Sequence, residues 1–134
     1  MRHLNDDKQM TDVWRLPAIA PWEKSCGKHP TQKPLALLAR IVLACTDVND
    51  WVLDPFAGSS TTGIAANLLG RRYLGIEREL EFAQMSRARR MEIDNARICA
   101  DYRARIKDIG CAETFESGLP MVSEPMHPYG DLPF

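Results

Sequence analysis

The chain has 134 residues, is 45% hydrophobic and 26% charged, and carries a net charge of −1. This length suits one domain and is too short for two, and the composition argues against a wholly disordered chain. The near-neutral charge argues against a protein that binds DNA on its own, because such proteins usually carry a strong basic excess.

The sequence indicates a cellular compartment as well. It contains no run of about 18 apolar residues that could span a membrane, and its first residues are too polar for a signal peptide. Its cysteines show neither CxxC pairing nor a zinc-like spacing with histidines: Cys26, Cys45, Cys99 and Cys111. We therefore expect a cytoplasmic protein with reduced thiols, no metal and no membrane contact.

The first predicted elements are an irregular segment and a helix. Residues 1–30 are rich in proline and have little apolar periodicity, which predicts an irregular lead-in. From Lys33 to Thr46 apolar residues cover almost every face, which is typical of a buried helix, and Pro34 suits its first turn.

Two short apolar runs then flank a second helix. Trp51–Leu53 predicts a strand, helical spacing follows from Ile64 to Leu69, and Gly70 provides a helix stop. Tyr73–Ile76 predicts a second buried strand. Together these elements predict a βαβ unit, the building block of open α/β sheets with parallel strands.

The remaining sequence predicts two helices and a tail. A charged helix is expected over residues 79–93, another helix over 95–109, and an irregular tail or arm over 111–134. The end of the charged helix carries a basic cluster that we interpret as a solvated helix terminus: Arg87, Arg89 and Arg90.

Parallel sheets bind ligands beyond the carboxyl ends of their strands, where Asp54 and Glu77 fall. Gly58 allows a ligand to approach the backbone, and Thr61 begins a helix whose free amides favour an acidic group. Glu77 follows Asp54 by 23 positions, and an acid about 20 residues beyond the first loop commonly accepts hydrogen bonds from ribose. The spacing thus predicts a nucleoside-containing ligand, with a plain tight turn and a surface glutamate as the alternative.

Three segments resemble one family. Val52–Thr62 resembles the DPFxGSGTT cofactor motif of DNA methyltransferases that act on exocyclic amino groups, His29–Leu35 matches their HPTQKP motif, and Tyr73–Glu77 matches their second cofactor strand. The order of these motifs is similar to that of the β group, in which the catalytic segment comes first. The resemblance extends from Asp12 to Ile93. A nicotinamide-dependent oxidoreductase is a distant alternative, because GxGxxG is absent.

The resemblance implies an α/β, Rossmann-like S-adenosylmethionine-dependent methyltransferase fold, incomplete in this chain, with a βαβ core and flanking helices. It implies a cofactor-binding region over residues 31–110, a loop that wraps the methionine part, a Glu77 that accepts from the ribose hydroxyls, and polar donors near the methionine carboxylate. The implied cofactor-binding residues are Thr31, Gln32, Lys33, Asp54, Phe56, Ala57, Gly58, Ser59, Ile76 and Glu77.

Some positions carry a choice between a functional and a structural role. Ser60 stands where the family usually has glycine, so a positive φ there would strain the loop. We expect His29 to orient its neighbours rather than act as a base. Trp14 and Trp22 are expected to cover a core rather than stack on a flipped base.

The family transfers the methyl group through a [DNS]-P-P-[YFW] segment, which this sequence lacks, so no catalytic residue is identified. Two strands also make a poor sheet, with exposed edges and unpaired apolar faces. The chain is therefore expected to be a subunit that pairs with a chain bearing this segment, a C-terminal piece of a longer protein, or a self-associating remnant. DNA would be reached through the complete enzyme. A non-DNA substrate and a catalytically inactive cofactor-binding module are the alternatives.

Overall fold

The computed structural model describes residues 12–106. The elements are helix α1 (Leu35–Cys45), strand β1 (Trp51–Asp54), helix α2 (Thr61–Leu68), strand β2 (Arg72–Gly75), helix α3 (Leu80–Glu92) and helix α4 (Ala96–Ile106), preceded by a 3-10 turn at Pro21–Lys24. The predicted tail over residues 111–134, and the end of the helix predicted over 95–109, lie outside the described residues. Within residues 12–106, no helix is long and apolar enough to cross a membrane.

The predicted βαβ unit is confirmed. Strands β1 and β2 are parallel neighbours, with Trp51 opposite Arg72 and Asp54 opposite Gly75. Helix α2 connects the two strands and packs against both. Gly70 follows the helix with a φ of +75°, which fits the predicted stop because a left-handed residue commonly ends a helix.

The prediction that the strands are buried is wrong for one face of the sheet. Trp51 and Leu53 are each 61% exposed, and Leu74 is 49% exposed. Side chains alternate between the two faces of a strand, and the helices within residues 12–106 cover the face that carries Val52 and Tyr73. We call the opposite surface, formed by Trp51, Leu53 and Leu74, the open face.

The core lies between the helices and the covered face of the sheet. Helices α1 and α2 supply most of it, and α4 closes it from one side. Its buried members are Leu35, Ala39, Val42, Ile64, Ala65, Leu68, Leu69, Ile93, Cys99, Tyr102 and Ile106. Helix α1 buries one face only, since Ile41 is 39% exposed; the expectation of a helix buried all round is therefore wrong.

The segment before α1 is fastened by a buried carboxylate. Glu23 accepts a hydrogen bond from the backbone N–H of Leu35 at 2.7 Å and another from Ala20 at 3.1 Å. Since Pro34 cannot cap the helix with its own side chain, Glu23 supplies the acceptor that the first turn of α1 needs. This contact connects the segment to the helix across 12 residues of sequence.

The tryptophans of this segment contact the folded part of the chain. Trp22 packs edge-on against Tyr102 of α4, with ring centroids 4.9 Å apart, which confirms its predicted role in covering the core. The guanidinium of Arg40 lies 5.2 Å from the ring centroid of Trp14. Both rings are therefore engaged within this chain.

A buried arginine joins the ends of two helices. Arg71 donates to the carbonyl and hydroxyl oxygens of Thr46, at 2.7 and 3.0 Å, and to the carbonyl of Leu69 at 2.6 Å. Thr46 and Leu69 cap the carboxyl ends of α1 and α2, where free carbonyls need donors and a positive charge is favourable.

Replacing this arginine should destabilise the fold more than replacing its neighbour. Arg71→Met leaves buried carbonyls without donors and should lower the free energy of unfolding by about 2 kcal/mol. Arg72→Met removes only an exposed stacking contact with Trp51 and should cost less than about 1 kcal/mol. Equilibrium urea unfolding of the full chain measures both, and equal losses would contradict the assigned role of Arg71.

Candidate functional site

A cleft of about 190 Å³ lies at the carboxyl ends of the strands. Eight of the ten residues predicted to bind the cofactor line it, and only Ile76 and Glu77 do not. The lining residues are His29, Thr31, Gln32, Lys33, Leu38, Asp54, Phe56, Ala57, Gly58, Ser59, Thr61 and Thr62. A larger, more open groove between Cys26–Lys28 and α3 contains none of the predicted residues and does not touch the strand ends.

The loop between β1 and α2 has an unusual backbone. Gly58 and Ser60 both adopt left-handed conformations, with φ of +53° and +58°. A left-handed residue beside a right-handed one turns successive N–H groups to the same side and forms a concave site for anions. Gly58 also lacks room for a side chain, because a Cβ there would lie 3.0 Å from Nε2 of His29.

Asp54 and Glu77 fix the start and the middle of this loop. Asp54 accepts a hydrogen bond from the N–H of Phe56 at 3.1 Å, an Asx turn that begins the loop. Glu77 accepts from the N–H of Gly58 at 2.7 Å and from that of Glu79 at 2.9 Å. Thus the acidic residue after β2 holds the middle of the loop after β1.

The Glu77 carboxylate remains able to accept further hydrogen bonds. The backbone N–H of Glu79, followed by that of Gly58, lowers the pKa of this group below its ordinary value of 4.5. Glu77 is therefore ionised at neutral pH. Each carboxylate has about four lone-pair positions, so two backbone donors leave positions for the hydroxyl groups of a ligand.

Helix α3 binds the loop from the other side. Ser86 donates its hydroxyl to the carbonyl of Gly58 at 2.8 Å. Arg89 donates from Nη1 to the carbonyl of Ser59 at 2.6 Å and to the hydroxyl of Thr61 at 3.0 Å. The interpretation of Arg89 as part of a solvated helix end is wrong, because its side chain is only 4% exposed.

The cause is the helical position of Arg89. Phe82, Met85, Ser86 and Arg89 follow the spacing of one helical face, and this face is turned toward the loop and the core. Arg90 projects from another face and pairs with the carboxylate of Asp94. The spacing of these four residues is a sequence feature from which the role of Arg89 could have been inferred.

His29 lies between α3 and the loop. Its Nδ1 accepts a hydrogen bond from the N–H of Thr31 at 3.2 Å, and its ring packs on Phe82 with centroids 4.2 Å apart. The other ring nitrogen, Nε2, lies beside Gly58. This placement suits the orienting role expected for His29.

The other predicted residues differ in accessibility. Thr31 and Lys33 are exposed at the cleft, whereas Gln32 is buried and donates its amide to the carbonyl of Glu23 at 2.9 Å. Phe56 is 88% exposed and Ile76 is 52% exposed. The N–H of Ala57 donates to the carbonyl of Ile76 at 2.9 Å, which brings these two apolar side chains to the same end of the sheet.

Ser60 has the positive φ that strains a residue with a side chain, and its hydroxyl forms a hydrogen bond. The Ser60 hydroxyl donates to the phenol oxygen of Tyr73 at 2.9 Å. The Tyr73 ring occupies space beside Gly63 and Gly75 that a Cβ on either glycine would fill. Burial raises the pKa of Tyr73, so the phenol stays protonated. Tyr73, like Ser86 and Arg89, supports the loop and was not predicted to do so.

Comparisons with known proteins identify the family to which the chain belongs. Residues 2–88 match the family model described as DNA methylase, and the chain belongs to this family. It is 61% identical over 93 residues to the Type II methyltransferase M2.MboI of Moraxella bovis, covering 69% of this chain and 34% of that protein. It is 53% identical over 95 residues to M2.DpnII of Streptococcus pneumoniae, covering 71% and 35%. The chain therefore spans about a third of the length of these relatives.

A solved structure gives the same result for the fold. The crystal structure of the M1.HpyAVI–SAM complex superposes with a TM-score of 0.53 at 43% identity, over 61% of this chain and 41% of that chain. The predicted family is thereby confirmed, as is the predicted fold class of an incomplete α/β methyltransferase fold.

The strain at Ser60 can be measured by comparing two substitutions. Ser60→Gly and Ser60→Ala both remove the hydroxyl, but only glycine adopts the left-handed conformation freely. The glycine variant should therefore be about 1 kcal/mol more stable than the alanine variant in urea unfolding. Equal stability of the two variants would show that residue 60 is not left-handed in solution.

Proposed function

We propose that this chain binds S-adenosylmethionine in the cleft and contributes the cofactor-binding part of a methyltransferase acting on an exocyclic amino group of adenine or cytosine in DNA. The observation that carries the proposal is the Glu77–Gly58 hydrogen bond of 2.7 Å. It joins the two family motifs into one site, with an ionised acceptor beside the N–H of Ser59 and the first N–H groups of α2.

The residues fit the three chemical parts of this cofactor. The carboxylate of the methionine part suits the N–H of Ser59 and the first N–H groups of α2, with Thr31 and Lys33 at the same cleft. The ribose hydroxyls suit the free acceptor positions of Glu77. The adenine ring suits the exposed apolar surfaces of Phe56 and Ile76. The name of the M1.HpyAVI–SAM complex supports the same ligand.

The bound cofactor would supply an electrophilic methyl group on its sulfonium. The residues that line the cleft bind and orient the cofactor, and among residues 12–106 we assign none to the target amine. The sequence has no [DNS]-P-P-[YFW] segment, so the groups that position the target base come from polypeptide outside this sequence.

We further propose that this polypeptide packs on the open face. The chain spans about a third of its relatives, and Trp51, Leu53 and Leu74 leave an apolar surface on a two-stranded sheet. Such sheets are stable when both faces are covered. The partner would carry the target-base segment and the DNA-recognition region, either as a second chain or as further sequence of the same protein, and the complex would act in the cytoplasm.

A second candidate is a cofactor-binding module without catalysis. The missing target-base segment favours it, and a self-associated form would also cover the open face. The two candidates differ in whether methyl transfer occurs when the missing portion is supplied.

Cofactor binding is tested first. The full chain should bind S-adenosylmethionine in isothermal titration calorimetry, and Glu77→Ala should weaken binding about 10- to 100-fold, because hydrogen bonds to charged groups contribute about 1.5–3 kcal/mol. Asp54→Ala, which frees the start of the loop, should weaken it too. Asp101→Ala, on an exposed pair with Arg105 in α4, is the control and should bind normally. A folded chain that binds no cofactor, alone or with the partner polypeptide described next, would overturn the proposal.

Methyl transfer is tested by complementation. The portion of M2.MboI that this chain does not match, expressed separately and mixed with the full chain, should restore transfer of radiolabelled methyl groups to bacterial DNA. Neither part should act alone, and Glu77→Ala should reduce the rate. Cofactor binding and complex formation without transfer to any DNA tested would favour the non-catalytic module.

A further inference from the structure

Arg89 is a buried cation that forms no direct ion pair with any residue of the part of the chain that the structure describes. Its side chain is 4% exposed, and the ion pairs within residues 12–106 involve Arg78, Arg90 and Arg105 instead. Burying a charge is costly unless polar groups compensate. The carboxylates of Glu23 and Glu92 stabilise this charge at longer range. The groups that it contacts directly are neutral oxygens of one loop, the Ser59 carbonyl and the Thr61 hydroxyl.

These contacts fix the direction of the loop peptides. A trans peptide holds its carbonyl and the following N–H on opposite sides, and residues 12–106 contain no cis peptide. Since Ser86 holds the Gly58 carbonyl toward α3, the N–H of Ser59 points away from α3. The N–H of Ser60 is held by the carbonyl of Ala57 at 2.7 Å.

Arg89 also acts on the start of α2. Its bond to the Thr61 hydroxyl keeps that side chain on the α3 side, away from the first free N–H groups of the helix. Carbonyl oxygens would repel an anionic ligand, and Ser86 and Arg89 hold two of them, those of Gly58 and Ser59, toward α3. Their positions leave N–H groups to face the cleft that Ser59 and Thr61 line.

We infer that Arg89 is a positioning residue for the loop between β1 and α2. It does not touch the ligand but holds Ser59 and Thr61 in the arrangement that binds the carboxylate of S-adenosylmethionine. This inference rests on the proposed function, since it names the same cofactor. Preorganisation of this kind raises affinity by removing the cost of ordering the loop on binding.

The chain offers a matched control for this role. Arg103 donates to the carbonyl of Leu68 at 3.0 Å, at the opposite end of the same helix α2. Arg89→Met and Arg103→Met therefore each remove an arginine bond to a backbone carbonyl, but only the first lies at the loop. A purely structural role for Arg89 predicts that both variants lose stability and keep the cofactor affinity of the folded fraction.

The experiment measures S-adenosylmethionine affinity by calorimetry and stability by urea unfolding for the full chain and these variants, adding the partner polypeptide if the chain requires it. Arg89→Met should weaken cofactor binding about tenfold or more, whereas Arg103→Met should leave affinity unchanged. Arg89→Lys, which retains a cation that can donate to both oxygens, should recover part of the lost affinity. Ser86→Ala should weaken binding about threefold, as expected for one neutral hydrogen bond.

The outcomes separate this inference from the proposed function. No binding by the unchanged protein, with its partner present, overturns the cofactor proposal itself. Normal binding by the unchanged protein together with normal affinity in Arg89→Met overturns only the role of Arg89, as does an equal loss of affinity in Arg103→Met. If Arg89→Met does not fold, the lysine and Ser86 variants decide: unchanged affinity in both overturns the inference.

Discussion

The direction of its peptide groups decides what the loop between β1 and α2 can bind. Gly58 and Ser60 are left-handed, a conformation that costs free energy for a residue with a side chain. The loop keeps this shape because hydrogen bonds hold it on two sides. On one side the Glu77 carboxylate accepts from the N–H of Gly58. On the other side Ser86 and Arg89 donate to two loop carbonyls. An N–H lining on the cleft follows from those bonds, and without them the loop would be an ordinary turn.

The same bonds explain why helix α3 matters although few of its residues are buried. Met85 and Arg89 are its only buried residues, yet its inner face contacts His29, Gly58, Ser59 and Thr61. A helix that mainly supplied apolar area could tolerate a change of charged residues. In α3 the polar residues of the inner face make the contacts. Of its basic residues, Arg89 has a structural role in the loop, whereas the exposed ones have none there.

The sequence was sufficient for the elements and for most of the cleft. The runs Trp51–Leu53 and Tyr73–Ile76, with Gly70 between them, predict the βαβ unit because local pattern and turn residues agree there. The cleft residues were predictable because they lie in two short motifs. The role of Arg89 was missed, although Arg89 shares a helical face with Met85 and Ser86, because a basic residue near a helix end usually faces water and its acceptors lie 28 to 30 positions away. The exposure of Leu53 was also unexpected, because an apolar strand pattern predicts burial but does not show whether the same chain or another polypeptide covers each face. The ligand contacts expected of all ten predicted cofactor-binding residues remain predictions.

The open face and the loop between β1 and α2 meet at the carboxyl ends of the two strands. Leu53 lies on the open face and the next residue, Asp54, lines the cleft, because side chains alternate along β1. Leu74 also lies on the open face, one residue before the end of β2, and Ile76 and Glu77 contact the loop just beyond that end. A polypeptide that packs on Leu53 and Leu74 therefore restrains the residues from which the loop departs. Coupling between two such sites is reciprocal, so a partner that strengthens cofactor binding must itself be bound more tightly when the cofactor is present. A two-stranded sheet with one open face thus has a physical reason to join cofactor binding to assembly.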